Sequence, residues 1–274
     1  MKPRTMLKGL RDDPAYDFTR SLKLVVRHFL LRMGLDQARA QINKMRGINT
    51  DHLALSNLPD IFTEIYKSGA WIEDPTQDSY SGLGSSSKAT TALPSSLSEL
   101  LRSIQCRRLV DLGCGDFNWM RHVEGEWEYI GIDVVEALIR RNQIRYGEAK
   151  RTFVVLDATS ARLPKGDTVL CREVLFHLSF HNIFAVLDNI VHSRAKHLVA
   201  TSDSSVWFNS DIKNGDFRPL NLSRPPFRFP TPISEIADDR VLNGRKLGLW
   251  RVDQIPRSWV TCPPHRGSNS TFGM

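Results

Sequence analysis

The sequence is poor in cysteine. Its 274 residues include four, Cys106, Cys114, Cys171 and Cys262, and no C-x-x-C pair. That pattern excludes a disulfide framework and a cysteine-built zinc site, and it sets the expectation of a reducing, cytoplasmic location. No cluster of side chains has metal-ligand spacing, so no metal site is expected. No apolar run is long enough to span a bilayer, and the N-terminus, with Asp12 and Asp13, lacks the apolar core of a secretory signal. Charge is also missing from most of the chain as a net quantity. Residues 1–46 hold eleven of the 37 Lys and Arg and four of the 30 Asp and Glu, and this surplus equals the whole net charge of +7. The body beyond them is neutral, with 26 residues of each sign, so by itself it offers no electrostatic grip on nucleic acid.

What is present falls into three parts: a basic helical N-terminal extension over 1–58, a main domain over 59–256 and a disordered tail over 257–274. In the extension, Phe18, Leu22, Val25, Val26, Phe29, Leu30 and Met33 form one apolar stripe, with Arg20, Lys23, Arg27 and Arg32 around it. Two readings follow from this amphipathic pattern: a helix docked on the body, or a basic helix lying on a membrane surface or a partner. Residues 204–245 interrupt the main domain. They are expected to be irregular and to form a lid.

From Arg107 onward, short apolar runs alternate with helical stretches, the pattern of an α/β fold with a parallel sheet. Strands are predicted at Arg108 to Leu112, Tyr129 to Val134, Phe153 to Asp157, Thr168 to Cys171, His197 to Asp203 and Lys246 to Val252. Asp111, Asp133, Asp157, Arg172, Glu173 and Asp203 lie at or near the carboxyl ends of these strands, where open parallel sheets bind ligands.

The first strand breaks into Gly113-Cys114-Gly115, but the third glycine of a dinucleotide fingerprint is missing and Asn118 stands there. The turn carries carboxylates at Asp111 and Asp116, which would repel a phosphate and suit a cationic ligand. S-adenosylmethionine, with an ammonium and a sulfonium and no phosphate, is such a ligand. Asp133 is placed to accept both hydroxyls of a ribose. Upstream, Ser81-Gly82-Leu83-Gly84-Ser85 reads either as a flexible linker or as a loop folded over the ligand.

These motifs together resemble those of the class I S-adenosylmethionine-dependent methyltransferases. More narrowly they resemble a bacterial-type subgroup marked by the Ser-Gly-x-Gly-Ser loop and Gly-Cys-Gly-Asp-Phe-Asn-Trp. The resemblance implies a Rossmann-like, seven-stranded, mostly parallel sheet with helices on both faces and an antiparallel last strand. It also implies a cofactor cleft built from Asp111, Gly113, Cys114, Gly115, Asn118, Asp133, Val134, Asp157, Ala158 and Arg172, with Ser81, Gly82, Gly84 and Ser85 over it. Asp157 would accept from the adenine amino group. The Asn/Asp-Pro-Pro-Tyr tetrapeptide of amino-methylating nucleic-acid enzymes is absent, and Cys171-Arg172-Glu173-Val174 stands at strand four.

Methyl transfer asks the protein to align the acceptor and, for a hydroxyl, to remove a proton. His177, Glu173, His181 and Asp203 are candidate bases, and Arg172 either orients an anionic acceptor or pairs with an acid. Trp207, Asn209, Asp211 and Arg218, with Asp216, Phe217 and Asn221 nearby, are the expected acceptor contacts, a mix suited to a small-molecule or sugar hydroxyl. The alternatives are an RNA or protein methyltransferase recruited by the basic arm, peripheral membrane contact through that arm, and a catalytically silent fold that binds the cofactor.

Overall fold

The computed structural model describes residues 49–72, 76–238 and 244–257, together with Leu22, Val25, Val26, Phe29, Leu30 and Met33. The expected tail beyond 257 and most of the basic arm lie outside the described residues. The strands are β1 (Arg108–Leu112), β2 (Glu128–Asp133), β3 (Arg151–Val155), β4 (Thr168–Cys171), β5 (His197–Asp203), β6 (Ser234–Ala237) and β7 (Arg245–Arg251). Among the described residues they form one sheet in the order β3-β2-β1-β4-β5-β7-β6. The β1–β2, β2–β3, β1–β4 and β4–β5 pairs are parallel. β7 runs antiparallel to both β5 and β6, so it is the one reversed strand. The chain steps outward from β1 to β3 and then crosses back to β4, so the topological switch point lies between β1 and β4, where a ligand crevice belongs.

Helices cover both faces. They are α1 (Leu58–Ser68), α2 (Leu93–Ser103), α3 (Glu136–Tyr146) and α4 (Phe180–His192). Alternation along the central strands divides the core in two. Val110, Val169 and Leu198 pack with Leu58 of α1 and with Ile183, Val186, Leu187 and Ile190 of α4. Leu109, Leu170 and Val199 pack on the other face with Leu93, Leu97 and Leu101 of α2 and Ile139 of α3.

The end of α1 nearest the site is fixed by local chemistry. Asn57 caps its N-terminus by accepting the amide of Asp60, with Pro59 in the first turn, and Gly69 ends it in the left-handed conformation at φ 65°. Ile61 and Ile65 are buried beneath it. His52 and Leu58 are buried too, so the folded body begins before the boundary expected at residue 59.

One further expectation changes. The 204–245 segment is not wholly irregular: it contributes β6, an edge strand. In the N-terminal segment, Leu22, Val25, Val26, Phe29 and Leu30 are helical as expected; Leu22, Val25, Val26, Phe29 and Met33 are exposed and Leu30 is half-buried.

Candidate cofactor and acceptor site

A cleft opens at the carboxyl ends of β1, β2 and β4 and encloses about 980 Å³ of space without protein atoms, part of it open to solvent. Its floor is the turn after β1. Gly113 and Gly115 both have left-handed backbones, at φ 71° and 54°. A Cβ on Gly113 would lie 2.4 Å from Val174 Cγ2, and one on Gly115 would lie 2.4 Å from Ser81 Oγ. The glycines are therefore required by the protein's own close packing as well as by any ligand.

Asp133, at the end of β2, ties this turn down. One carboxylate oxygen accepts the Gly115 amide at 3.1 Å and the other accepts the Val135 amide at 3.0 Å. Burial nevertheless holds its carboxyl above the usual aspartate value. Asp111 is buried beside it and accepts the Tyr129 hydroxyl at 2.6 Å. Burial raises the Asp111 carboxyl to about 7, against that hydrogen bond. Asp157 also lines the cleft, two residues beyond the end of β3 (expected to run through it), and its Oδ1 accepts from the backbone and hydroxyl of Thr159.

The Ser-Gly-x-Gly-Ser segment lies over the glycine turn and is fastened there. Asp116 accepts from the Ser79 hydroxyl and the Tyr80 amide at 2.9 and 2.7 Å, and its own amide donates to Ser81 Oγ at 2.9 Å. Asn118 donates to the Ser85 carbonyl, and Arg172 to the Gly84 carbonyl. Ser81 and Ser85 line the cleft, whereas Gly82, Gly84 and Asn118 stand behind it and shape the loop. Asp111, Gly113, Cys114, Gly115, Asp133, Val134, Asp157, Ala158 and Arg172 also line it.

Arg172, Glu173, Asp238 and Arg245 form a buried ionic cluster at the end of β4. Arg172 makes a two-point contact with Asp238 at 2.9 and 2.8 Å, and Arg245 pairs with Glu173. Burial opposes charge on Glu173, but Arg172 and Arg245 outweigh it and hold its carboxyl below the ordinary glutamate range. Of the two roles expected for Arg172, pairing with an acid is the one its geometry displays. Glu173 lines the cleft with a left-handed backbone, φ 59°, fixed by its amide donating to the Thr201 hydroxyl.

His177 lies on a short turn, Leu175–His177, that faces the cleft. Its Nδ1 is 3.0 Å from the Asp216 carbonyl oxygen. A carbonyl only accepts, so Nδ1 carries the proton and Nε2 keeps the lone pair. Burial lowers the imidazole to about 4, so the ring is neutral at neutral pH. The other candidate bases lie elsewhere: His181 is exposed on α4, and Asp203 is buried, accepting from Ser205.

None of the four expected acceptor contacts lines the cleft. Arg218 is buried, donating to the carbonyls of Ser210, Leu175 and Leu178. Asn209 donates to the carbonyls of Asn221 and Pro225, and Asp211 accepts the first amide of α4 from Phe180. Trp207 is 54% exposed and is not among the lining residues. The reason is physical: an irregular buried segment has no ladder for its backbone, so its polar side chains supply the missing partners.

The wall that the sequence reading missed comes from α1 and the turn after it: Leu58, Phe62, Tyr66 and Trp71. Trp71 lies 4.7 Å from the His177 ring, 5.6 Å from Tyr66 and 5.9 Å from Phe62, centroid to centroid. Tyr66 reaches Ser81 Oγ at 2.8 Å. The signal was present: α1 is apolar on two adjacent faces, Ile61 and Ile65 on one and Phe62 and Tyr66 on the next, more than one core contact needs.

The donor set fits a cationic, phosphate-free ligand. Acids line the cleft, the glycine turn leaves room above it, and the one guanidinium among the described lining residues is held by Asp238. Among the described residues, no group of three His, Cys, Asp or Glu is placed to hold a metal ion.

Residues 110–196 match the family model described as a methyltransferase domain. Comparison with curated protein sequences finds no match. Among solved structures, the chain is similar to the methyltransferase domain of bacterial CtHen1-C, at 16% identity and TM-score 0.44, over 59% of this chain and 97% of that one. It is similar to magnesium protoporphyrin IX methyltransferase from Synechocystis PCC 6803 with bound SAM, at 15% identity and TM-score 0.45, over 60% and 79%. It is also similar to the N-methyltransferase NodS from Bradyrhizobium japonicum WM9 in complex with S-adenosyl-L-homocysteine, at 19% identity and TM-score 0.41, over 51% and 72%.

Proposed function

We propose that this chain is an S-adenosylmethionine-dependent methyltransferase of the class I type that methylates a hydroxyl group of a small molecule, with His177 as general base. The observation that carries the reading is the tautomer of His177. Its Nδ1–H is committed to Asp216, which leaves Nε2 as a basic nitrogen on a residue that lines the cleft. Such a nitrogen serves a hydroxyl acceptor, which must lose a proton as it reacts.

The residues divide by task. Asp133 is placed for a ribose diol: each of its oxygens accepts one amide and retains a lone pair for a hydroxyl. Asp111 lies deeper, and its ionised form, present above about pH 7 in the ligand-free protein, favours a cationic ligand. Asp157, Ala158 and Val134 supply the wall for an adenine ring, and Ser81 and Ser85 close the loop side. When bound, the cofactor supplies a methyl group already activated by a positive sulfur. The protein's own work is then to hold the acceptor in line, exclude water and accept one proton.

Glu173 is less suited to the base's role than the sequence suggested. Two guanidiniums both meet its Oε1 and hold its carboxyl below the ordinary glutamate range, so it has little affinity for a proton and pairs with Arg245.

The test is His177→Ala and His177→Gln, assayed with isotope-labelled S-adenosylmethionine and fractionated cell extract as the source of acceptor. Cofactor affinity should stay within about threefold, while transfer falls by about 10²-fold or more. Because the imidazole is neutral down to about pH 4, the wild-type rate should show no histidine inflection near pH 6.5. Full activity in both variants would overturn the assignment. Cofactor binding with no transfer to any fraction would support the silent-scaffold alternative.

A further inference from the structure

The groups around His177 differ in kind from those that would hold a sugar. Trp71 covers one side of the imidazole at 4.7 Å, and Phe62 and Tyr66 stand behind Trp71. The charges nearby are matched among themselves, Arg172 with Asp238 and Arg245 with Glu173, two of each sign. Within that cluster an acceptor would meet no unbalanced charge, and Arg218, whose charge also acts on His177, is spent on three backbone carbonyls. The amides and the guanidinium of the long insertion, Asn209, Asn221 and Arg218, donate to backbone carbonyls and offer no fringe of donors to a polyol.

We propose that the acceptor is a flat, uncharged aromatic hydroxyl compound, with its ring packed against Trp71 and Phe62 and its hydroxyl directed to Nε2 of His177. The inference rests on the reading of the chain as an O-methyltransferase and names the substrate class for that site. Apolar rings lining a cleft bind planar ligands through buried area and offset stacking. Proton chemistry points the same way. A base whose affinity for protons is lowered by burial works best on an acidic hydroxyl. A phenol, with a pKa of about 10, is several units more acidic than an aliphatic alcohol. In the transfer, the acceptor oxygen gives its proton to Nε2 and forms a bond to the methyl carbon. The electron pair of the broken carbon–sulfur bond stays on sulfur, and the imidazolium returns its proton to solvent.

The experiment is ligand-observed NMR on the full chain saturated with S-adenosylhomocysteine, so that binding is read without turnover. The probes are 2-naphthol, 4-hydroxybenzoate and methyl glucoside. Saturable binding of 2-naphthol is expected, with 4-hydroxybenzoate at least about tenfold weaker and methyl glucoside not binding. Trp71→Ala should weaken 2-naphthol by about tenfold or more, and Trp71→Phe should restore most of it. Both variants should keep their affinity for S-adenosylhomocysteine, which also reports that they fold. Preference for methyl glucoside, absence of saturable 2-naphthol binding, or equal 2-naphthol affinity in Trp71→Ala would overturn the proposal. Naphthol binding that depends on Trp71 but gives no methyl transfer in the active complex would keep the ring site and defeat the O-methylation reading, so the two fail separately.

Discussion

Asp133 and Gly115 are joined across two strands, carboxylate oxygen to backbone N–H, at 3.1 Å. The contact locks the end of β2 to the turn after β1 and makes the floor of the cleft one unit. The aspartate expected to hold a ligand's ribose is therefore also a structural clamp on the glycine turn. Any variant at this position is read correctly only with both roles in view.

Asp111 gives the structure a pH dependence with a definite sign. Burial raises its carboxyl from 3.8 to about 7. Between those values the folded protein keeps a proton that the unfolded chain has released, so stability from this group falls as pH rises through the window. Asp111→Asn stays neutral and its amide oxygen can still accept the Tyr129 hydroxyl. The ligand-free variant should melt above wild type at pH 8, with the gap narrowing as pH falls below about 7 and closing only below 3.8. A gap that does not change with pH in thermal unfolding would contradict the assignment.

Arg218 is expected to matter for folding and not for recognition. Its guanidinium satisfies three carbonyls and lies 5.6 Å from the Phe180 ring centre, all in the buried region behind the His177 turn. Arg218→Ala strands those carbonyls and should cost on the order of 3 kcal/mol or more in denaturant unfolding. Unchanged stability combined with a selective loss of transfer would return Arg218 to the acceptor's side.

In the N-terminal segment, Leu22, Val25, Val26, Phe29 and Met33 are exposed, and that segment carries all of the chain's net positive charge. That combination suits an anionic membrane surface. The full chain should sediment with phosphatidylserine-containing vesicles and not with neutral ones, and salt should release it. Phe29→Glu should abolish the association. Equal binding to both vesicle types, or salt-insensitive self-association without vesicles, would contradict this expectation.

The sequence was most informative at the centre of the sheet and least at its edge. β1, β4 and β5 have the expected bounds because strands covered on both faces read as unbroken apolar runs ended by a turn. β6 escaped notice because Ser234-Glu235-Ile236-Ala237 is a short edge strand, half-exposed, with no apolar run to mark it. The acids at the strand ends were legible for the same reason as the strands. Phe62, Tyr66 and Trp71 were not, because they lie some forty to fifty residues before the glycine turn and only tertiary packing brings them to it. The polar residues of the insertion misled in the opposite direction: Asn209 and Arg218 look like ligand contacts until the backbone's own need for partners is counted.

The central claim is that the cleft binds S-adenosylmethionine across the glycine turn, with Asp133 holding the ribose. Titration calorimetry of the full chain with S-adenosylmethionine, S-adenosylhomocysteine and NADH, repeated for Asp133→Ala and Asp133→Asn, tests it most directly. The account predicts saturable binding of the two adenosyl compounds and none of NADH. It predicts a loss of about 1.5–3 kcal/mol in Asp133→Ala and a smaller loss in Asp133→Asn, whose fold is checked by its melting curve. NADH binding as tightly as S-adenosylmethionine, or an affinity for S-adenosylmethionine that does not change in a folded Asp133→Ala, would contradict it.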